Sequence, residues 1–86
     1  MDKIKTIDEE IYDIYGNLIP EGTYKVHVGK MPHGGVKMYG FFYDKQSKPC
    51  SEKDARTIYV YECNEKDEVI FSVILGERLP ISPIKK

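Results

Sequence analysis

Val36-Lys37-Met38-Tyr39-Gly40-Phe41-Phe42-Tyr43-Asp44 and, thirteen residues on, Thr57-Ile58-Tyr59-Val60-Tyr61-Glu62-Cys63 decide how this chain folds. Both runs are dense in aromatic and β-branched residues, and both alternate with period two, the mark of strands. If Met38 and Phe42 point inward, Lys37, Tyr39, Phe41 and Tyr43 lie on the opposite face. Likewise Ile58 and Val60 inward leaves Tyr59 and Tyr61 outward.

Working outward, Glu68 to Leu75 reads as a further strand, with Val69, Phe71, Val73 and Leu75 inside and Ile70 and Ile74 opposite. Asn64-Glu65-Lys66-Asp67 is a hairpin turn of ordinary length. Upstream, Gly22-Thr23-Tyr24-Lys25-Val26-His27-Val28 alternates in the same way. Met31-Pro32-His33-Gly34-Gly35 is a turn, since proline cannot donate to a ladder and the glycines tolerate positive φ. Hairpins are therefore expected over residues 23–44 and 57–75, with Val26, Val28, Phe42, Ile58, Val60, Phe71 and Val73 as the core. Lys45 to Lys53 is a polar loop, and Ser51-Glu52-Lys53-Asp54 can start one helical turn.

The N-terminal stretch reads two ways. Thr6 followed by Glu9 fits a capping box, and Ile4, Ile7, Ile11 and Ile14 fall at helical spacing. Against a helix, Ile11-Tyr12-Asp13-Ile14-Tyr15 is β-branched and aromatic and ends in a Gly16-Asn17 turn. The fold class is mainly β, with α+β open if this stretch is helical. A small antiparallel sheet or a five-stranded barrel of the OB or SH3 kind, with one short helical segment, satisfies the pattern. A single domain over 1–86 is expected. An acidic segment, 1–22, packs on the sheet; 23–75 forms the β core; 76–86, with Pro80 and Pro83, is an extended tail.

Both sheet faces are partly apolar, and one is crowded with Tyr39, Phe41, Tyr43, Tyr59 and Tyr61. Either the segment around Ile7 to Tyr15 covers that face, or it is a recognition surface on which a partner docks or bases stack.

Composition narrows the function classes. Apolar residues are 41% and charged residues 31% of the 86, which excludes a disordered chain. The formal net charge of −1 argues against a polycation. Charge is nonetheless uneven: residues 1–22 carry six acids against Lys3 and Lys5, whereas residues 25–56 carry seven bases against three acids. No signal peptide opens the sequence and no run is long enough to span a membrane, so a cytoplasmic location is expected. Cys50 and Cys63 are too few for a disulfide scaffold and read as two free thiols, with a single Cys50–Cys63 bridge as the alternative.

Lys37-Met38-Tyr39-Gly40-Phe41-Phe42 resembles the first nucleic-acid-binding motif of cold-shock domains, and Ile58-Tyr59-Val60-Tyr61 resembles the second. Gly22-Thr23-Tyr24-Lys25 is similar to the opening of that fold's first strand. The resemblance covers about forty residues. It implies a barrel whose stacking aromatics are Tyr39, Phe41 and Tyr59, with Tyr61 where the family usually carries histidine. This chain departs from the pattern in having Met38 in place of a glycine, a longer loop between the motifs, and too few residues after Cys63 for the last two strands.

Chemistry-bearing motifs are scarce. His27, His33, Cys50 and Cys63 lack the close pairing of zinc ligands, and no nucleophile sits in a supporting motif. Gly29-Lys30 and His33-Gly34-Gly35 match neither a phosphate loop nor a dinucleotide fingerprint, so no cofactor and no enzymatic activity are expected. The expected function is that of a small binding protein that acts by occupying a partner. Such chains suit inhibitors and accessory proteins, including those of phages and mobile elements. The partner is a protein surface met by Tyr39, Phe41, Tyr43, Tyr59 and Tyr61, or a small charged or nucleotide-type ligand held near Lys30, His33 and Lys37. The alternative is an OB-like domain that binds single-stranded nucleic acid.

Overall fold

A computed structural model describes residues 2–76. Among the described residues, seven strands form two antiparallel sheets, each ordered as in the sequence. The small sheet contains β1 (Lys5–Ile7), β2 (Glu10–Tyr12) and β3 (Leu18–Ile19). The large sheet contains β4 (Tyr24–Val28), β5 (Lys37–Tyr43), β6 (Thr57–Cys63) and β7 (Val69–Gly76). Both expected hairpins are present, and a single 3-10 turn, Glu52–Asp54, follows Ser51 where a helical turn was expected. The extended tail expected over 76–86 lies, after Gly76, outside the described residues.

The turns explain much of the register. At Asp13, Asp44 and Asn64 one side-chain oxygen accepts the N–H groups two and four residues ahead: Tyr15 and Asn17 at 2.9 and 2.8 Å, Gln46 and Lys48 at 2.8 and 3.0 Å, Lys66 and Glu68 at 2.9 and 3.0 Å. In each, the fourth residue, Gly16, Ser47 or Asp67, has a positive φ and donates its N–H to the carbonyl of the first. This is one turn design used three times: a tight turn opened by Asx and closed by a left-handed residue. At residues 13–17 it overrides the helical spacing of the isoleucines, because the Asp13 carboxylate satisfies N–H groups that a helix would otherwise claim. The N-terminal stretch is thus strand. Asp8 and Glu9, with φ of 53° and 68°, supply the left-handed pair of a two-residue hairpin between β1 and β2.

The mainly β fold is the expected one, and of its two expected forms the sheet is present rather than the barrel: among the described residues β4 and β7 are the two edges of an open sheet rather than hydrogen-bonded neighbours. The cover that a barrel would obtain from its own strands comes instead from the small sheet. One expectation is overturned: strand parity is inverted. Ladder pairing sets Tyr39 opposite Tyr61 and Phe41 opposite Tyr59 on one face, and that face is the interior. Its core holds Ile4, Ile11 and Ile19 from the N-terminal segment against Tyr39, Phe41, Tyr61 and Cys63. Of the expected core, only Phe42 is buried; Ile58 and Val60 are half-buried, while Val26, Phe71 and Val73 are exposed and Val28 is 78% exposed. With apolar side chains on both faces, alternation cannot say which side is covered. The covering layer decides.

That layer is fastened at one end. The Ile4 amide donates to the Asp67 carbonyl and the Val69 amide to the Asp2 carbonyl, each at 2.9 Å. Below this clasp the Tyr39 hydroxyl donates to Asp67 Oδ1 at 2.8 Å, and Lys37 Nζ reaches the same oxygen at 2.9 Å.

Candidate functional site

The small sheet covers the aromatic face only in part. Where it stops, the side chains of the Tyr43 end of β5 and the middle of β6 border a cleft of about 490 Å³. Tyr43, Tyr59 and Tyr61 come from the large sheet, Ile74 from β7, and Asp13 and Tyr15 from the Asx turn between β2 and β3; Ser47 and Thr57 complete the wall. Volumes of this size accommodate small ligands or one large side chain.

The rings are fixed by their neighbours. Tyr43 meets Tyr59 edge to face, centroids 5.2 Å apart at 83°, and Tyr59 lies beside Tyr61 at 6.4 Å and 21°. Tyr61 in turn tilts against the buried Phe41 at 5.5 Å. Tyr15 is 79% exposed and stands at the rim. Among the described residues, Asp13 supplies the only charge in the wall. Burial, and then the negative charge of Asp13 and the neighbouring phenols, pushes the Tyr43 hydroxyl up to about 12. Burial, then the other phenols, likewise raises Tyr61. The phenols are therefore neutral, able both to donate and to accept, over the physiological range.

The expected site residues fall into separate places. Tyr39 and Phe41 lie beneath the small sheet at 3% and 1% exposure and have no face free for a base or a partner. Tyr61 belongs to both the core and the cleft. Tyr43 and Tyr59 are the half-buried pair that the cleft displays. Lys37 is held by Asp67 at the far end of β5, and Lys30 is exposed on the loop after β4. His33 stacks on Phe71, centroids 3.6 Å apart at 10°, and its Nδ1 lies 3.1 Å from Glu62 Oε1. Lys30, His33 and Lys37 thus form no common pocket with the tyrosines. The stacking set implied by the cold-shock resemblance is likewise divided, with Tyr39 and Phe41 buried and Tyr59 at the cleft.

Sequence reasoning missed Asp13 and Tyr15, although the Gly16-Asn17 turn signal stood beside them. It also missed Glu62, a fully buried carboxylate that binds the 31–35 loop. Its Oε2 accepts the amides of His33 and Gly35, each at 2.8 Å. Burial alone would raise the pKa of this carboxyl, but the Gly35 amide and the His33 ring outweigh it and hold it below the usual carboxylate range. The signal was an acid in register with Ile58 and Val60 on an otherwise apolar side of β6.

Among the described residues, no three His, Cys, Asp or Glu side chains gather closely enough to hold a metal, and no helix is long and apolar enough to cross a membrane. No family model, curated protein or solved structure matches the chain.

Proposed function

We propose that this chain is a non-catalytic binding protein that captures a partner protein by seating one of its side chains in the tyrosine cleft. The observation that supports this most is the division of the aromatic face. Three aromatics are consumed by the core, whereas Tyr15, Tyr43 and Tyr59 remain partly open around one concavity. Tyrosine offers large contact area and a hydroxyl while losing little conformational freedom on binding, which is why it dominates protein-recognition surfaces. Single-stranded nucleic acid has less support. Two of the implied stacking rings are buried, Lys37 is bonded to Asp67, and the cleft wall presents a carboxylate rather than a cation to a phosphate backbone.

Selection of a random peptide library on the immobilised protein tests the reading. Peptides enriched on the unmodified protein are expected to bind at least about tenfold more weakly to Tyr59→Ala, the loss typical of one recognition aromatic. Enriched peptides indifferent to Tyr59→Ala and Tyr15→Ala, or no enrichment at all, would sink it.

A further inference from the structure

The chemistry of the cleft wall goes further than its shape and, resting on the reading above, specifies what the captured side chain carries. Four tyrosines and one carboxylate border the concavity, and among the described residues no lysine, arginine or histidine does. Aromatic faces carry the negative end of the ring quadrupole and attract a cation placed over them. An anion entering here meets the Asp13 carboxylate beside the rings, which repels it, and finds no cation among the described wall residues.

Asp13 is the discriminating residue. Its side chain is largely buried, at 7% exposure for the residue. Its Oδ1 accepts both turn amides, those of Tyr15 and Asn17. Among the described residues its Oδ2 receives only the Asn17 side-chain amide, at 3.4 Å, a long and weak contact. One carboxylate oxygen in the wall of an aromatic cleft therefore retains acceptor capacity. A neutral apolar group filling the cleft would strip water from that oxygen without replacing its hydrogen bonds, which is unfavourable. An ammonium or guanidinium group replaces them while lying against the rings.

We infer that the tyrosine cleft is a receptor for a cationic side chain, lysine or arginine, of a partner protein, with Asp13 as its counter-ion and Tyr43, Tyr59 and Tyr61 as its aromatic wall. The aliphatic stem of such a side chain lies beside Ile74, the apolar member of the wall.

The test uses Nα-acetyl-lysine methylamide, Nα-acetyl-arginine methylamide and, as neutral control, Nα-acetyl-norleucine methylamide, which has lysine's stem without its ammonium. Each is titrated into the full chain while the tyrosine ring resonances are followed by NMR. Lysine or arginine amide is expected to shift the Tyr43, Tyr59 and Tyr61 rings and leave Tyr39 in place. It should bind at least about fivefold more tightly than the norleucine amide, the order of an exposed cation–aromatic contact. Asp13→Asn, which keeps an oxygen for the turn amides, should abolish that preference. Should Asp13→Asn fail to fold, Tyr59→Leu serves instead, because it retains an apolar wall but removes a quadrupole. Equal binding of the norleucine amide overturns the cation inference while leaving a side-chain-binding cleft intact. Absence of any ring shift at about 50 mM of the cationic amides overturns it as well. Peptides selected as above that depend on Tyr59 yet lack lysine and arginine would refute it without touching the broader reading.

Discussion

Replacing Phe41 and Phe71 by alanine, one at a time, separates the two possible parities of the large sheet. Phe41 is 1% exposed and touches rings on both sides, Tyr39 at 6.1 Å and Tyr61 at 5.5 Å between centroids. The small sheet closes over it, so truncation leaves a cavity that two packed layers cannot fill. The expected cost is about 3–5 kcal/mol. Phe71 is 38% exposed on the edge strand β7, with His33 stacked on it. Truncation there exposes surface but encloses no void, so only the transfer contribution is lost, about 1–2 kcal/mol. A domain of this length has a total stability of roughly 4–13 kcal/mol, so Phe41→Ala removes a large share and Phe71→Ala a small one. Urea unfolding followed by circular dichroism, with equal slopes for all variants, gives the two values. Should Phe41→Ala be unfolded in water, Phe41→Leu preserves the order with a smaller cavity. A Phe71→Ala loss equal to or above that of the Phe41 variant would refute the assignment of the interior face.

Three further outcomes follow from local geometry. A Cβ on Gly35 would sit 2.7 Å from the Cys63 carbonyl oxygen and 2.7 Å from Glu62 Cγ; Gly35→Ala should therefore cost about 1–3 kcal/mol in the same urea assay, and a neutral result would show that the 31–35 loop is not clamped on Glu62. Burial raises Tyr43 from an ordinary value of 10.0 to about 12, and Tyr39 and Tyr61 also move upward. The unfolded chain then releases protons before the folded one, so stability should hold up to about pH 10 and fall as the pH rises toward 12, with phenolate absorbance lagging free tyrosine. A flat stability profile across that window would contradict the buried phenols. Cys63 is fully buried and its thiol is pushed up to about 11 by burial, whereas Cys50 is half-buried; a thiol reagent should modify Cys50 first and Cys63 only on unfolding, as read by mass spectrometry.

Strand positions, the two long hairpins and the helical turn at Ser51 were legible in the sequence because period two and turn chemistry are local. Parity was not. The sequence of β5 carries apolar side chains on both faces, and burial depends on residues such as Ile4, Ile11 and Ile19, which come from elsewhere in the chain. The same non-locality hid the cleft, since Asp13 and Tyr15 join Tyr43 and Tyr59 only when the small sheet docks. Recurrent Asx turns were half legible: Gly16-Asn17 and Asn64 to Asp67 announced turns, but Asp44 to Ser47 passed as part of a longer loop because Ser47 is an unusual residue for a left-handed position. Glu62 was illegible in a different way. A charge in an apolar register signals burial only once its partners, the amides of His33 and Gly35, are known.

The division of the aromatic face into a covered part and an open cleft is tested most directly by acetylating the folded protein with N-acetylimidazole and mapping each tyrosine by mass spectrometry over time. Tyr15 should react first and Tyr43 and Tyr59 more slowly, while Tyr39 and Tyr61, at 3% and 7% exposure, stay protected until the protein is unfolded. Acetylation of Tyr39 and Tyr61 at the rate of Tyr15 would mean that the small sheet does not cover this face, and would contradict both the core and the cleft built beside it.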